Sequence, residues 1–197
     1  MQTINELRNS NLKNYENDYI VDNLIRENGL YCLLGEAKVG KSALALQIGK
    51  SVCNGIPFLN LKTNKTPILY LSTEMNPSET ISRINFMECN LNENDFLYTF
   101  PEDNMTQLSI LKVEKEISEF KEKYNGKLVF IDMFNGLNFG SYYDLNNYQD
   151  MSQNIFPQLR RLCNNYNVTI IIVHHLNRKG KSLGSTAIDT CVDGKLA

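Results

Sequence analysis

The eight residues from Gly35 to Ser42 constrain the fold of this chain more than any other segment. They read Gly-Glu-Ala-Lys-Val-Gly-Lys-Ser and match the pattern G-x-x-x-x-G-K-[ST] at every fixed position. The apolar run LYCLL precedes them, and SALALQIGK follows with helical spacing of its apolar residues. A strand, a glycine-rich turn and a helix in this order direct backbone N–H groups at phosphate oxygens. A chance glycine-rich turn would need both flanks to be coincidental, so the segment predicts a nucleoside triphosphate site.

The residue types in this loop suit particular parts of that ligand. Lys41 supplies a positive charge for the β- and γ-phosphates and is a candidate catalytic residue, and the hydroxyl of Ser42 can bind Mg²⁺. The predicted nucleotide-binding residues are Gly35, Glu36, Ala37, Lys38, Val39, Gly40, Lys41, Ser42 and Ala43.

From about Leu30 onward, short apolar runs alternate with longer segments of helical period. This alternation predicts an α/β fold, with a mostly parallel central sheet flanked by helices on both faces. The predicted strands are Leu30–Leu34, Pro67–Ser72, Phe96–Phe100, Leu128–Asp132 and Val168–Val173. The predicted helices are Lys41–Cys53, one that begins at Asn76-Pro77-x-Glu79, one through Val113, Ile117, Phe120 and Tyr124, and Tyr148–Tyr166 with a kink at Pro157.

The chain has 197 residues, of which 42% are hydrophobic and 21% charged, and these values predict one globular domain. We expect residues 1–28 to be a polar lead-in with a short amphipathic piece from Tyr19 to Ile25, and residues 29–197 to be the domain. The net charge of −2 provides no overall basic field, so any polyanion must be held locally.

The cysteines are odd in number and form no C-x-x-C pair, which fits neither a disulfide framework nor a zinc ribbon. They are Cys32, Cys53, Cys89, Cys163 and Cys191. We therefore expect no disulfide partners and a cytoplasmic setting. The longest aliphatic run, Val168–Val173, is far shorter than the roughly 20 residues of a membrane span, so we expect no membrane association.

Two carboxylates follow predicted strands. Asp132 ends the apolar run LVFID and is the candidate second magnesium ligand, although many such aspartates only cap the next turn. No glutamate follows Asp132 directly, so the base that activates water must come from elsewhere. Glu74, just past the second strand, is the best candidate, because ligands of open parallel sheets bind at that edge; a solvated loop acid is the alternative.

The last predicted strand ends in His174 and His175, the only histidines in the protein. Either could sense the γ-phosphate, although adjacent strand residues point to opposite faces and a structural histidine is the alternative for each. Arg178, Lys179 and Lys181 follow, and this short basic cluster could contact a nucleic-acid backbone or be a solvated face.

With these segments identified, the sequence resembles the RecA-like P-loop ATPases, and among them the RepA-type hexameric replicative helicases of the AAA domain family, with DnaB-type helicases more distant. The resemblance covers about residues 18–194. It rests on GEAKVGKS, YLSTEM, VFIDMF and VHHLNR, and on GSTAI followed by Val192-Asp193.

The resemblance implies an ATPase that acts on single-stranded DNA with ATP and Mg²⁺. It implies that Glu74 is the catalytic base, that His175 suits the sensor position better than His174, and that the chain forms a homo-oligomer, either a hexameric ring or a filament. The candidate DNA-contacting residues lie in two loops, from Phe139 to Asp144 and from Arg178 to Lys181, and are Tyr142, Tyr143, Arg178, Lys179 and Lys181. Arg83 also occupies a position that is commonly basic in this group.

Related proteins continue past the segment that matches Val192-Asp193 into further strands that carry an arginine finger. We therefore expect the domain to be cut short at its C-terminal strands, with weak hydrolysis where no finger is supplied in trans. Two other functions remain open, a recombinase-like DNA-dependent ATPase and a nucleotide-gated binding module with little turnover.

Overall fold

The computed structural model describes residues 3–9, 18–86, 95–101, 107–140, 143–176 and 186–197. The strands are β1 (Tyr19–Val21), β2 (Ile25–Arg26), β3 (Leu30–Gly35), β4 (Ile68–Ser72), β5 (Phe96–Thr99), β6 (Leu108–Ser109), β7 (Leu128–Asp132), β8 (Leu137–Asn138), β9 (Thr169–His175) and β10 (Gly194–Leu196). The α-helices are α1 (Ile4–Asn9), α2 (Lys41–Asn54), α3 (Pro77–Phe86), α4 (Ile110–Tyr124), α5 (Tyr148–Asp150), α6 (Phe156–Tyr166) and α7 (Ile188–Cys191).

Within the described residues, six strands form one parallel sheet in the order β10-β3-β9-β7-β4-β5. The strands β4 and β7 are buried along their whole length, as apolar strands covered on both faces should be. One core cluster packs α4 and α6 against the sheet, and the other packs α2 and the β1–β2 hairpin against it. The predicted fold class is confirmed, and each predicted strand is present with its bounds shifted by at most two residues.

One of the six strands of the parallel sheet, β10, was not predicted from the sequence. It pairs in parallel with β3, where Gly194 lies opposite Tyr31. Asp193 secures the approach to it: its carboxylate accepts a hydrogen bond from the backbone N–H of Leu30 (2.8 Å) and a bidentate pair from the guanidinium of Arg160. With three residues, β10 is too short and too polar to show a strand pattern, so only its pairing with β3 defines it as a strand.

The amphipathic piece from Tyr19 to Ile25 is the β1–β2 hairpin. Ile20, Val21 and Ile25 are buried in the same core cluster as the underside of α2. Residues 19–26 therefore contribute to the core, whereas the sequence had suggested a polar lead-in up to residue 28.

The predicted helix from Tyr148 to Tyr166 is present but contains one wide turn. Met151–Ile155 is a π-helical turn, closed by a hydrogen bond from Phe156 N–H to Met151 C=O, between α5 and α6. Pro157 follows at the start of α6; its ring cannot donate a hydrogen bond and crowds the preceding turn, which accounts for the opening at this point.

None of the helices in the described part of the chain combines the length and the apolar character that a membrane crossing requires.

Candidate nucleotide-binding site

The loop between β3 and α2 has the backbone geometry that its glycines allow. Gly40, the residue before α2, has a φ of 95°, and Lys38 has a φ of 65°. A Cβ on Gly35 would lie only 2.9 Å from Cγ2 of Val39, so the turn closes because position 35 carries no side chain. Gly40 offers no capping side chain to the first N–H groups of α2, which leaves the helix N-terminus open to an anion.

A cleft of about 460 Å³ lies beside this loop, at the carboxyl edge of the sheet. The predicted site residues that line it are Lys38, Gly40, Lys41, Ser42, Glu74 and His175. Glu36, Ala37, Val39 and Ala43 are exposed on the outside of the loop and the first turn of α2, and Gly35 is half-buried at the end of β3.

Lys41 is a buried side chain of the cleft, with only 7% of its surface exposed. Its Nζ donates to the carbonyl oxygen of Glu36 (2.7 Å) and lies 2.9 Å from Nδ1 of His175. Because a lysine ammonium can only donate, Nδ1 is the acceptor and the imidazole is neutral with its proton on Nε2. Burial lowers the pKa of Lys41, against the opposing attraction of Glu74 and Asp132.

The two histidines have different surroundings. His175 pairs in register with Gly35, which explains how it reaches Lys41 across neighbouring strands. Burial, and then the positive charge of Lys41, lower the pKa of His175. His174 is 2% exposed and meets the ring of Phe134 edge-on, with the ring centroids 5.6 Å apart, on the opposite face of β9. Of the two predicted sensors, His175 therefore lines the cleft and His174 belongs to the core.

Asp132 is fully buried at the end of β7. Its Oδ2 accepts a hydrogen bond from the hydroxyl of Tyr70 (2.5 Å), while its Oδ1 has no hydrogen-bond partner among the described residues. A buried carboxylate oxygen without a donor is costly unless a cation or an ordered water binds it. Together with the hydroxyl of Ser42, which lines the cleft, this oxygen fits the hard oxygen ligands that Mg²⁺ prefers.

The turn that carries Glu74 is attached to the end of β7. Thr73 N–H donates to the carbonyl oxygen of Asp132 (2.7 Å), and the Thr73 hydroxyl donates to Met133 O (3.0 Å) and accepts from Met133 N–H (2.9 Å). A Cβ on Gly136 would lie 1.9 Å from the Thr73 hydroxyl oxygen, so this approach requires a glycine. The backbone turn that carries Glu74 is thus fixed in position relative to Asp132, while the Glu74 side chain itself is exposed.

The helix after Glu74 begins as the sequence predicts. Asn76 Oδ1 accepts from Glu79 N–H (2.9 Å), and Glu79 Oε2 accepts from Asn76 N–H (3.3 Å), which is a reciprocal capping box. Glu79 therefore caps the start of α3. Arg83, one turn further along α3, lines the cleft as well.

Tyr70 was not predicted from the sequence to belong to this site. The signal was a tyrosine inside a fully buried strand, whose hydroxyl must find a partner. The partner could not be identified without knowing that β4 and β7 are neighbours.

The candidate DNA-contacting residues are only partly described. Tyr143 is 37% exposed, whereas Tyr142, Arg178, Lys179 and Lys181 lie outside the described residues. Phe139, the first residue of that predicted loop, is buried against Phe134 with ring centroids 6.1 Å apart.

Comparisons with known proteins agree with this fold. A family model described as an AAA domain matches residues 8–181. The ATPase domain of G40P is a similar solved structure, with a TM-score of 0.64 at 15% sequence identity over 84% of this chain and 67% of that chain. At this identity the likeness concerns the fold alone. A comparison with curated proteins found no match.

Proposed function

The chain belongs to the AAA domain family and has a RecA-like P-loop fold, and from this premise we propose that it hydrolyses ATP and acts on single-stranded DNA as a replicative helicase-type ATPase. The observation that carries the proposal is the convergence of Lys41, Ser42, Glu74 and His175 on one cleft.

In this proposal the phosphates of ATP bind along the open N-terminus of α2, where Lys41 provides positive charge to the β- and γ-phosphates. The Ser42 hydroxyl and the Asp132 carboxylate would hold Mg²⁺ when it is bound. The ion would then neutralise charge that develops on the phosphates. Glu74 lines the same cleft as the loop and, as the general base, orients a water molecule and accepts its proton.

A phosphate in the cleft would also compete for the present partners of Lys41. Lys41 Nζ can turn from Glu36 O and His175 Nδ1 toward a phosphate oxygen, which leaves His175 free to change its own contacts. His175 ends β9, and the candidate DNA loop Arg178–Lys181 follows it in the chain. This short connection supports a role for His175 as the sensor that links nucleotide state to DNA contact.

The proposed partners are single-stranded DNA and further copies of this chain in a ring or a filament, in the cytoplasm. Tyr142, Tyr143, Arg178, Lys179 and Lys181 are the proposed DNA contacts. A balanced net charge of −2 is compatible with this role, since an assembly can concentrate a few basic side chains in a channel.

The experiment that tests the proposal measures ATP hydrolysis with and without single-stranded DNA. We expect DNA to stimulate turnover, and we expect Lys41→Ala to weaken nucleotide binding by about 100-fold, because a buried ammonium contact to phosphate is lost. Lys115→Ala, on the exposed face of α4, is the matched control and should bind ATP normally. An ATP hydrolysis rate that single-stranded DNA does not change would overturn the DNA-dependent function. Tight ATP binding by Lys41→Ala would refute the placement of the phosphates.

A further inference from the structure

Tyr70 lies on β4, the strand next to β7 in the sheet. In the register of this pair, Tyr70 is opposite Phe130 and Ser72 is opposite Asp132. Because alternate residues of a strand share a face, Tyr70 and Asp132 are diagonal neighbours on the same face, a separation that a long aromatic side chain can span. The Tyr70 hydroxyl reaches Oδ2 of Asp132 at 2.5 Å.

The ring of Tyr70 is held on several sides. The side chain is fully buried, and its centroid lies 5.1 Å from that of Tyr98, 5.6 Å from Phe130 and 6.4 Å from Phe96. A ring packed in this way has one position for its hydroxyl group. The Tyr70 hydroxyl is the donor of the hydrogen bond, and Oδ2 of Asp132 is its acceptor.

This hydrogen bond occupies one oxygen of the Asp132 carboxylate, Oδ2, and leaves the other, Oδ1, available for a further contact. Oδ1 is buried and has no partner within the described part of the chain. A neutral donor on Oδ2 fixes the rotation of the carboxylate and leaves its negative charge in place. The same arrangement, a ligand oriented by an outer hydrogen bond, is how proteins tune many metal sites.

We propose that Tyr70 is a positioning residue, whose hydroxyl orients Asp132 so that Oδ1 is presented to the magnesium ion of the bound nucleotide. The inference rests on the proposed function, because it concerns the same site. Tyr70 touches neither nucleotide nor metal and acts through Asp132.

The test is Mn²⁺ binding, followed by electron paramagnetic resonance, in the presence of ADP. We expect Tyr70→Phe to weaken nucleotide-dependent Mn²⁺ affinity by about 10-fold or more, the usual size of an outer-sphere effect. ADP affinity measured in EDTA should not change, because the phosphate loop is untouched. Tyr98→Phe, which removes a hydroxyl from the neighbouring ring of the same stack, should leave Mn²⁺ affinity unchanged. Equal Mn²⁺ affinity in Tyr70→Phe and the unmodified protein would overturn the proposal. An equal loss of Mn²⁺ affinity and of ADP affinity measured in EDTA would overturn it as well.

A double-mutant cycle separates positioning from packing. In an Asp132→Asn background, Tyr70→Phe should cost no further Mn²⁺ affinity, and an additive loss would show that the tyrosine acts independently of Asp132. Should Tyr70→Phe alone not fold, recovery of folded protein in the double variant supports the proposal, because the amide removes the buried charge left without its donor. Failure to recover would overturn it.

Failure of the proposed function has a different signature. The unmodified protein would then bind no Mn²⁺ with ADP, and this result would overturn both proposals. Failure of the inference alone leaves the unmodified protein binding Mn²⁺ with ADP and appears as one of the overturning results given above for the Tyr70→Phe variants.

Discussion

At the scale of single residues, the proposed functional side chains differ in how firmly the protein holds them. Lys41 and Asp132 are buried and make short hydrogen bonds, whereas the Glu74 carboxylate lies at the exposed rim and only its backbone turn is fixed. This division suits the proposed chemistry, because phosphate and metal ligands need fixed positions and a general base must meet water.

The first prediction concerns Glu74. We expect Glu74→Gln to lower ATP turnover by about 10²- to 10⁴-fold with nucleotide affinity retained, because the amide can no longer accept a proton from water. Single-turnover hydrolysis and equilibrium ATP binding measure the two effects separately. Glu79→Gln is the matched control, since it makes the same substitution in the same cleft but keeps the cap on Asn76. Unchanged turnover in Glu74→Gln would favour the nucleotide-gated binding module.

The second prediction concerns the pH dependence of stability. The folded-state pKa of His175 is lowered by burial and Lys41, despite the opposing charges of Glu74 and Asp132. Below the ordinary histidine pKa of about 6.5, the unfolded chain therefore binds protons more readily than the folded protein, and stability falls as pH falls.

His175→Gln removes this titration. We expect thermal unfolding of the unmodified protein to shift to lower temperature between about pH 7 and pH 5 more than that of His175→Gln. Parallel curves for the two proteins would contradict the assigned protonation state.

At the scale of secondary-structure elements, α2 connects the glycine-rich loop Gly35–Ser42 to the core. Its residue Gly49 lets the helix lie directly on the sheet: a Cβ there would be 2.6 Å from Cδ1 of Ile68 and 3.1 Å from Cε2 of Phe96. A glycine inside a helix costs about 1 kcal/mol relative to alanine, so the close contact with β4 and β5 offsets that cost.

The third prediction tests this contact. We expect Gly49→Leu to lower the free energy of unfolding by about 1–3 kcal/mol, because the new side chain must displace buried ones. Urea unfolding followed by circular dichroism gives the change. Gln47→Leu places the same side chain on the exposed face of α2 and should have little effect. Equal stability of the two variants would show that the packing of α2 adapts.

Elements also differ in how far local sequence defines them. The third helix is confirmed as α4, with Val113, Ile117 and Phe120 buried at the predicted spacing. The β1–β2 hairpin and β10 were missed, because two- and three-residue strands carry no periodicity. The pairing of β10 with β3 and the packing of the hairpin against α2 both join residues that are distant in the sequence.

At the scale of the whole molecule, the sheet separates two cores and brings four strand ends to one edge. The ends of β3, β4, β7 and β9 supply Gly35, the turn before Glu74, Asp132 and His175. A nucleotide bound there would contact residues from most of the chain, so binding should stabilise the folded protein as a unit.

The fourth prediction concerns assembly. If the chain acts as a ring or a filament on DNA, its mass in solution should rise when ATP and single-stranded DNA are added together. Light scattering coupled to size-exclusion chromatography measures this, and Lys41→Ala is the control that should not respond. A monomer under all conditions would contradict the proposed oligomer. Electron microscopy would distinguish a closed ring from a recombinase-like filament.

The sequence by itself determined the glycine-rich loop Gly35–Ser42, the strand and helix that flank it, and the α/β class, because these depend on short patterns and on hydrophobic periodicity. It also indicated Asp132, Glu74 and His175 as candidates, since each follows a recognisable strand. Their catalytic roles stay predictions.

Only the tertiary structure decided which of these residues meet. Strand order placed His175 beside Gly35 and hence its Nδ1 within 2.9 Å of Lys41, turned His174 into the core, and set Tyr70 beside Asp132. The physical reason is that a parallel sheet aligns residues far apart in the chain, and the facing of each side chain depends on register, which a single sequence does not encode locally.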